Sequence, residues 1–180
     1  MLDLLKKRRS IRKFKNQSVE PEKIEQLLKG ALLSPSSRNF SPWEFIVVTE
    51  QQILQQLASA KQAGSTFLKN APLAIVVLAD PQVSDVWIED TSIATILIQM
   101  VAESMELGSC WVQIRERKHS DGISSEEYVR GILNIPGHIN VEAIVAIGYP
   151  DEPKAPHREG NLKYHKLFLN GYQVPYTFLE

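Results

Sequence analysis

A single cysteine, Cys110, in 180 residues excludes an intramolecular disulfide and any CxxC redox or zinc chemistry. The four histidines, His119, His138, His157 and His165, share no metal-ligand spacing with one another or with Cys110, so no structural metal is expected. No segment approaches the roughly 20 apolar residues of a membrane span. The start, MLDLLKKRR, has no apolar run of signal-peptide length. A reducing, cytoplasmic location without a membrane partner follows as the expectation. Also missing are a GxGxxG after a strand, a Walker P-loop and a GxSxG elbow. A formal charge of −1 and a pI near 6.4 argue against a dedicated nucleic-acid protein. The remaining composition, 43% hydrophobic and 23% charged, suits one domain spanning residues 1–180.

Positive charge is concentrated in one place. Lys6 to Lys15 (KKRRSIRKFK) holds seven of the 20 basic residues and none of the 21 acidic ones, which leaves the rest of the chain at −8. Such a run is either a solvated basic face or a site for an anion that offsets the mutual repulsion. Ser10, Ile11 and Phe14 interrupt it, so it does not read as a disordered arm. Ile11 and Phe14 can anchor the segment to a core while Arg8, Arg9, Ser10 and Arg12 point elsewhere.

Periodicity predicts alternating helices and strands. Pro21 opens a helix whose Ile24, Leu27, Leu28, Ala31 and Leu32 share one face, and Ser34-Pro35 ends it. Phe45–Thr49, Leu73–Ala79, Cys110–Ile114 and Val141–Tyr149 read as strands, and LAIVVLA as one buried on both faces. Glu50–Ala60 reads as a surface helix. Ser124 and Glu127 form a capping box for another. The charged stretch Arg115–His119 is expected to be exposed. In residues 90–107, Thr91, Thr95, Gln99 and Glu103 make one narrow polar stripe on an otherwise apolar helix. A helix so apolar requires burial against more than one neighbour, including a second subunit, and Gly108 is placed to close it in a left-handed conformation. A short helix is expected near Leu162–Leu169. The tail from Leu167 to Leu179 carries more apolar residues than a free terminus should expose.

Four segments in order resemble the FMN-dependent nitroreductase family: RRSIRKF at 8–14, SPSSRNFSPWEF at 34–45, a buried helix ending ELGSCW at 106–111, and AIVAIGYP at 143–150. The resemblance covers nearly the whole chain. It implies an α+β (mixed α/β) fold with a central, mostly antiparallel sheet between helices, and a homodimer with tail exchange carrying two interfacial FMN sites. By the same resemblance, Arg8 and Ser10 bind the phosphate and ribityl chain, with Arg9 beside them, and Arg12 lies near flavin N1 and O2. Pro35, Ser36, Ser37 and Asn39 reach the flavin from the other subunit. Backbone at Trp111 and Val112 lies beside the ring and N5. Lys154 or Arg158 supplies a further cation for the phosphate. Family members often carry glycines where Val112, Gln113 and Ile114 stand. The pocket is therefore narrower here, or Gln113 donates toward N5 or the substrate. Which residue of 63–70 contacts the flavin stays open.

The implied activity is hydride transfer from NADH or NADPH through flavin N5 to a small electron-poor acceptor, a nitroaromatic, quinone or enone, in a ping-pong cycle. No side chain is assigned as catalytic, because the cofactor carries the chemistry and Arg12 tunes it. The alternatives are a family member with a narrower task (reductive dehalogenation or aldehyde reduction), an FMN carrier or sensor with little turnover, and a nucleic-acid module using the basic run. Cys110, Trp43 and Trp87 read as packing residues, and His157 as an exposed loop residue.

Overall fold

Every residue of LAIVVLA is apolar, so the strand it forms needs cover on both faces. The computed structural model describes residues 1–177, and in it β2 (Leu73–Ala79) is buried throughout. Around it run α1 (Leu2–Lys7), α2 (Pro21–Leu32), β1 (Trp43–Val48), α3 (Gln51–Leu57), α4 (Trp87–Ser104), β3 (Gly108–Gln113), α5 (Ser125–Leu133) and β4 (Asn140–Gly148). The strands form one antiparallel sheet in the order β1-β2-β4-β3, leaving β1 and β3 at its edges. Side chains alternate across a strand. Ala74, Val76 and Leu78 thus share a core with Leu54 and Leu57 of α3 and Val129 of α5. Leu73, Ile75 and Val77 share another with Leu27 and Ala31 of α2 and Ile98 and Ala102 of α4. The expected sheet between helical layers is present.

Helix α4 has an inverted polarity. Its polar stripe faces inward: Thr91, Thr95 and Gln99 are buried, whereas Ile93 and Ile96 are 39% and 37% exposed. Thr91 and Thr95 satisfy their hydroxyls on the preceding turn, donating to the carbonyls of Trp87 and Thr91 at 2.7 Å. Gln99 donates to Ser109 Oγ of β3 at 3.3 Å.

Three expectations are corrected. Gly108 does not close α4. Glu106, with φ 62°, takes the left-handed position after the helix, and Gly108 pairs with Gly148 in β3. The glycine is needed for a different reason: a Cβ there would lie 2.8 Å from Ile11 Cβ, so the N-terminal segment can reach the sheet only against a bare Cα. The helix expected near Leu162–Leu169 is replaced by 3₁₀ turns at Glu159–Asn161 and Tyr164–Lys166 and a bridge between Phe168 and Pro175. Every residue from Pro153 to Thr177 is exposed, so no apolar face is buried to support a longer helix. Phe178 and Leu179 of the apolar tail lie outside the described residues. Finally, His119 is not exposed with its neighbours; it is buried and stacked on Tyr128, with ring centroids 4.0 Å apart.

The Ile11–Gly108 contact generates a stability prediction. Gly108→Ala should cost about 1–3 kcal/mol in chemical denaturation, and much less in an Ile11→Gly background, where the Cβ and both Cγ atoms that it would meet are gone. Equal penalties in the two backgrounds would show that this contact does not explain the glycine.

Candidate functional site

The basic run becomes a strand-like segment laid along the edge of β3. Arg8 ends α1, its N–H still donating to Leu4 O at 2.8 Å. Ser10 then bridges Ser109 in parallel, and Ile11 N–H donates to Ser109 O at 3.0 Å. Beyond the buried Phe14, Lys15 N–H donates to Tyr149 O at 2.9 Å, and Asp151 N–H to Lys13 O at 2.9 Å. Glu152 accepts from the N–H groups of Arg12 at 2.6 Å and Lys13 at 3.2 Å. Those bonds and the Lys154 ammonium at 2.9 Å hold its carboxyl below the usual range.

Successive residues of this segment serve different places. Lys7, Arg9 and Ile11 line a cleft of about 430 Å³ with Glu103, Glu152 and Lys154. Arg9 also donates to Ala155 O, which ties the N-terminal segment to the chain after β4, and within that chain Lys154 is taken up by Glu152. Arg158 is exposed at the start of the first 3₁₀ turn. Arg8, Ser10 and Arg12 instead act together on Cys110. Burial pushes that thiol up, and Arg12, Ser10 and Arg8 oppose the shift, as does Lys61. The side chain of Cys110 is 1% exposed, which makes it a packing thiol beneath a set of cations.

Lys61 had no sequence signal. It is one lysine in the polar stretch after α3, and only the fold carries it to Cys110 and Arg117. Its ammonium is held below the ordinary lysine value by burial first and by the Arg117 charge second. Neither Arg8, Arg12 nor Lys61 forms an ion pair among the described residues. Glu103 feels the Arg8 charge without forming an ion pair with it, and three cations outside ion pairs at one sheet edge are suited to a bound anion. Within residues 63–70, Gly64 lies beside the Lys61 ammonium, and the Arg12 guanidinium is 5.9 Å from the Phe67 ring centroid. Asn70 faces a different cleft with Lys13, Lys15 and Lys69.

The edge of β3 contributes backbone. Ser109 turns its carbonyl outward to Ile11, and alternation along a strand turns the peptide groups of Trp111 and Gln113 the same way. Those of Val112 face β4. Past Ser109 nothing among the described residues pairs with this edge, so the N–H groups of Trp111 and Gln113 are available as donors. The side-chain amide of Gln113 is not. Its Oε1 accepts from Trp111 Nε1 at 2.8 Å, and its Nε2 donates to Arg115 O and Glu142 Oε1, both at 3.2 Å. All its donors are in use. Glu142 occupies a bulge in β4, its carbonyl accepting from both Ile114 and Arg115 N–H at 3.1 Å. Its carboxyl is buried, with Oε2 3.7 Å from Arg115 Nε and without a hydrogen bond, and burial pushes its pKa up.

The loop around Pro35, Ser36, Ser37 and Asn39 lies at the other end of the sheet, leading into β1. Arg38, Asn39 and Ser41 all have left-handed φ, at 50°, 59° and 49°, each at a cost of about 1–2 kcal/mol for a non-glycine residue. Ser36 Oγ accepts from Ser41 N–H at 2.8 Å, and Ser37 N–H donates to the buried Asp90 Oδ1 at 2.8 Å. Pro35 and Asn39 are exposed and Ser37 half-exposed. Edge strands β1 and β3 are three strand spacings apart, roughly 14 Å. One chain therefore brings Arg8, Ser10, Arg12, Trp111 and Lys61 together and keeps Ser37 and Asn39 away from them.

Comparison with known proteins supplies a context for this geometry. The sequence profile of the Nitroreductase family matches residues 5–65 and 54–149. An FMN-dependent nitroreductase structure from Clostridium difficile R20291 is 48% identical, superposes with a TM-score of 0.94, and covers 96% of this chain and 100% of its own. An Archaeoglobus fulgidus protein with the provisional name NADH dehydrogenase/NAD(P)H nitroreductase is 38% identical over 157 residues, 85% of this chain and 87% of its own. The iodotyrosine deiodinase of Thermotoga neapolitana is 24% identical over 182 residues, 92% of this chain and 97% of its own.

Glu142 makes stability pH-dependent in a defined direction. Its carboxyl titrates higher folded than unfolded, so the folded state binds more protons between those two values and loses stability as pH rises through that window. Glu142→Gln removes the titration while keeping an acceptor for Gln113. Relative to wild type, the variant should gain in denaturation experiments on going from pH 5 to pH 8. A constant difference across that range would contradict the assignment.

Proposed function

The chain belongs to the nitroreductase family, and on that premise we propose that it is an FMN-dependent NAD(P)H oxidoreductase acting on a small electron-poor acceptor, a nitroaromatic, quinone or enone. The observation that carries the reading is the convergence of Arg8, Arg12 and Lys61 on Cys110, three cations in no ion pair among the described residues, beside the open edge of β3. FMN, when bound, would supply the two-electron redox chemistry between the nicotinamide and the acceptor, and Arg8, Ser10 and Arg12 would hold it.

The chain's own residues bind and tune. Arg8 presents a planar fork to the phosphate, the side chain best shaped for that group. Ser10 offers a hydroxyl to the sugar chain. Arg12, held in place by its main-chain bond to Glu152 and its contact with Phe67, is a fixed positive charge that favours whichever redox state of the ring is more negative. Lys61 adds a second. Trp111 and Gln113 offer main-chain N–H groups to the ring edge, and the Trp111 indole, fixed by Gln113, forms a wall. No side chain on this surface is placed as a general acid or base.

Pro35, Ser36, Ser37 and Asn39 complete the site from a second copy, because within one chain they lie at the opposite sheet edge. Homodimer formation is supported by the outward Ile93 and Ile96 of α4, by exposed Leu32, Leu33 and Phe40 near the loop, and by the apolar residues of the exposed C-terminal arm. Such obligate interfaces commonly bury more than about 2,000 Å². Residues 1–180 then act as one FMN-binding domain. No helix among the described residues is long and apolar enough to cross a membrane, and a cytoplasmic location fits the single buried thiol.

Purified protein reconstituted with FMN should show the flavin absorbance bands and bleach anaerobically with NADH or NADPH, then recolour with nitroaromatics or quinones. A halogenated aromatic in the same panel tests the dehalogenating alternative suggested by the deiodinase relative. Protein that takes up no FMN would overturn the reading. Arg8→Ala should weaken FMN tenfold to a hundredfold, from a charge-assisted bond of about 1.5–3 kcal/mol, and leave riboflavin nearly unaffected. Equal loss of both ligands would make Arg8 structural. Arg12→Gln should retain FMN but lower its two-electron potential; an unchanged potential in redox titration would remove Arg12 from that role.

A further inference from the structure

Asp90 is a buried carboxylate without a cation. It is 3% exposed in the first turn of α4 and takes part in no ion pair among the described residues. Both oxygens are nevertheless engaged. Oδ1 accepts the Ser37 N–H at 2.8 Å, and Oδ2 accepts the Ser84 hydroxyl at 3.3 Å. A carboxylate buried with hydrogen bonds but no counter-ion is costly, so its value to the molecule lies in what it holds. It holds the loop. Residues 35–41 otherwise bond only to themselves and the preceding turn: Asn39 N–H to Ser36 O, Phe40 N–H to Ser37 O, Ser41 N–H to Ser36 Oγ. Among the described residues, Ser37–Asp90 is the single hydrogen bond from this strained loop to another element.

The same helix turns its exposed Ile93 and Ile96 outward three and six residues after Asp90. The residue that fixes the loop is thus built into the element that offers the association surface. We propose that Asp90 is a positioning residue for FMN binding in trans: through Ser37 it sets Ser37 and Asn39 in the geometry that the partner's Arg8–Arg12 surface requires. This rests on the shared-site reading above. Subunit docking through α4 then delivers the loop already oriented.

The test uses FMN binding by defined heterodimers, with no turnover needed. Asp90→Ala homodimers should bind FMN at least tenfold more weakly. Asp90→Asn, which keeps an acceptor for Ser37 and a partner for Ser84, should stay within about threefold of wild type. Mixed with Arg8→Ala chains, Asp90→Ala chains should regain one site per heterodimer at wild-type affinity, since one site then combines an intact Arg8 with an intact loop. A merely structural Asp90 would also damage its own chain's Arg8 surface, so a heterodimer with no tight site overturns the proposal. So does an Asp90→Ala homodimer with unchanged affinity. A control pair, Arg8→Ala with Ser37→Ala/Asn39→Ala, separates the failures. If it regains no site, the shared-site reading falls; if it does and the Asp90 pair does not, only the role of Asp90 falls. Should Asp90→Ala not fold, Ser37→Pro removes the donor from the other side, at a position whose preceding residue is already extended. It should bind FMN at least tenfold more weakly than Ser37→Ala, and equal affinities would count against the proposal.

Discussion

Ile11 lies against the bare Cα of Gly108, and the placement of the basic segment depends on that contact. Seven cations in ten residues repel one another and would be expected to stay in solvent. Burying Ile11 and Phe14 in the core beneath β2 and β4 holds them at the sheet edge instead. Main-chain bonds to Ser109 and Tyr149 and the carboxylate of Glu152 then fix the register. With the register fixed, alternate side chains divide into two sets. One ties down the C-terminal segment; the other gathers at Cys110 with its charges outside any ion pair among the described residues. Hydrophobic anchoring thereby concentrates positive potential that electrostatics alone would disperse.

Helix α4 shows the same logic reversed. Its threonines and glutamine face the interior and are satisfied there by helix carbonyls and by Ser109, so they add no burden on the core beyond their volume. The isoleucines this frees for the outside make a surface that water tolerates poorly. The fold thus puts one free strand edge, one strained loop and one apolar helix face on the same molecule, and none of the three is completed within a single chain.

Much of this was legible in residue order. LAIVVLA requires two covered faces, and residues 73–79 form the strand as bounded. The spacing of Ile24, Leu27 and Ala31 gives α2, and Ser124 with Glu127 gives the start of α5. The run broken by Ile11 and Phe14 reads as anchored, and it is. What failed were readings that depend on distant neighbours. Gly108 looks like a helix terminator because glycine so often is one; only the position of Ile11 reveals the other reason for it. The apolar residues at 162–169 suggest a helix, but with no core beneath them they settle into turns. Lys61 is invisible because one lysine in a polar turn has no pattern. Gln113, open to a ligand role by sequence, is committed by Glu142, which reaches it across a bulge that no periodicity encodes.

The sheet is four strands wide, and the two halves of the proposed site hang from its opposite edges. On that arrangement, ligand affinity and subunit affinity are linked quantities. Anything that binds only the paired form deepens its association by mass action, and dilution loosens the cofactor as surely as a competitor would. In the proposed dimer, the exposed arm from Pro153 to Thr177 would belong to the same equilibrium. Its apolar side chains are only partly covered by their own chain, Phe168 at 40% and Leu169 at 47% exposure. Colour, in such a molecule, is a measure of company.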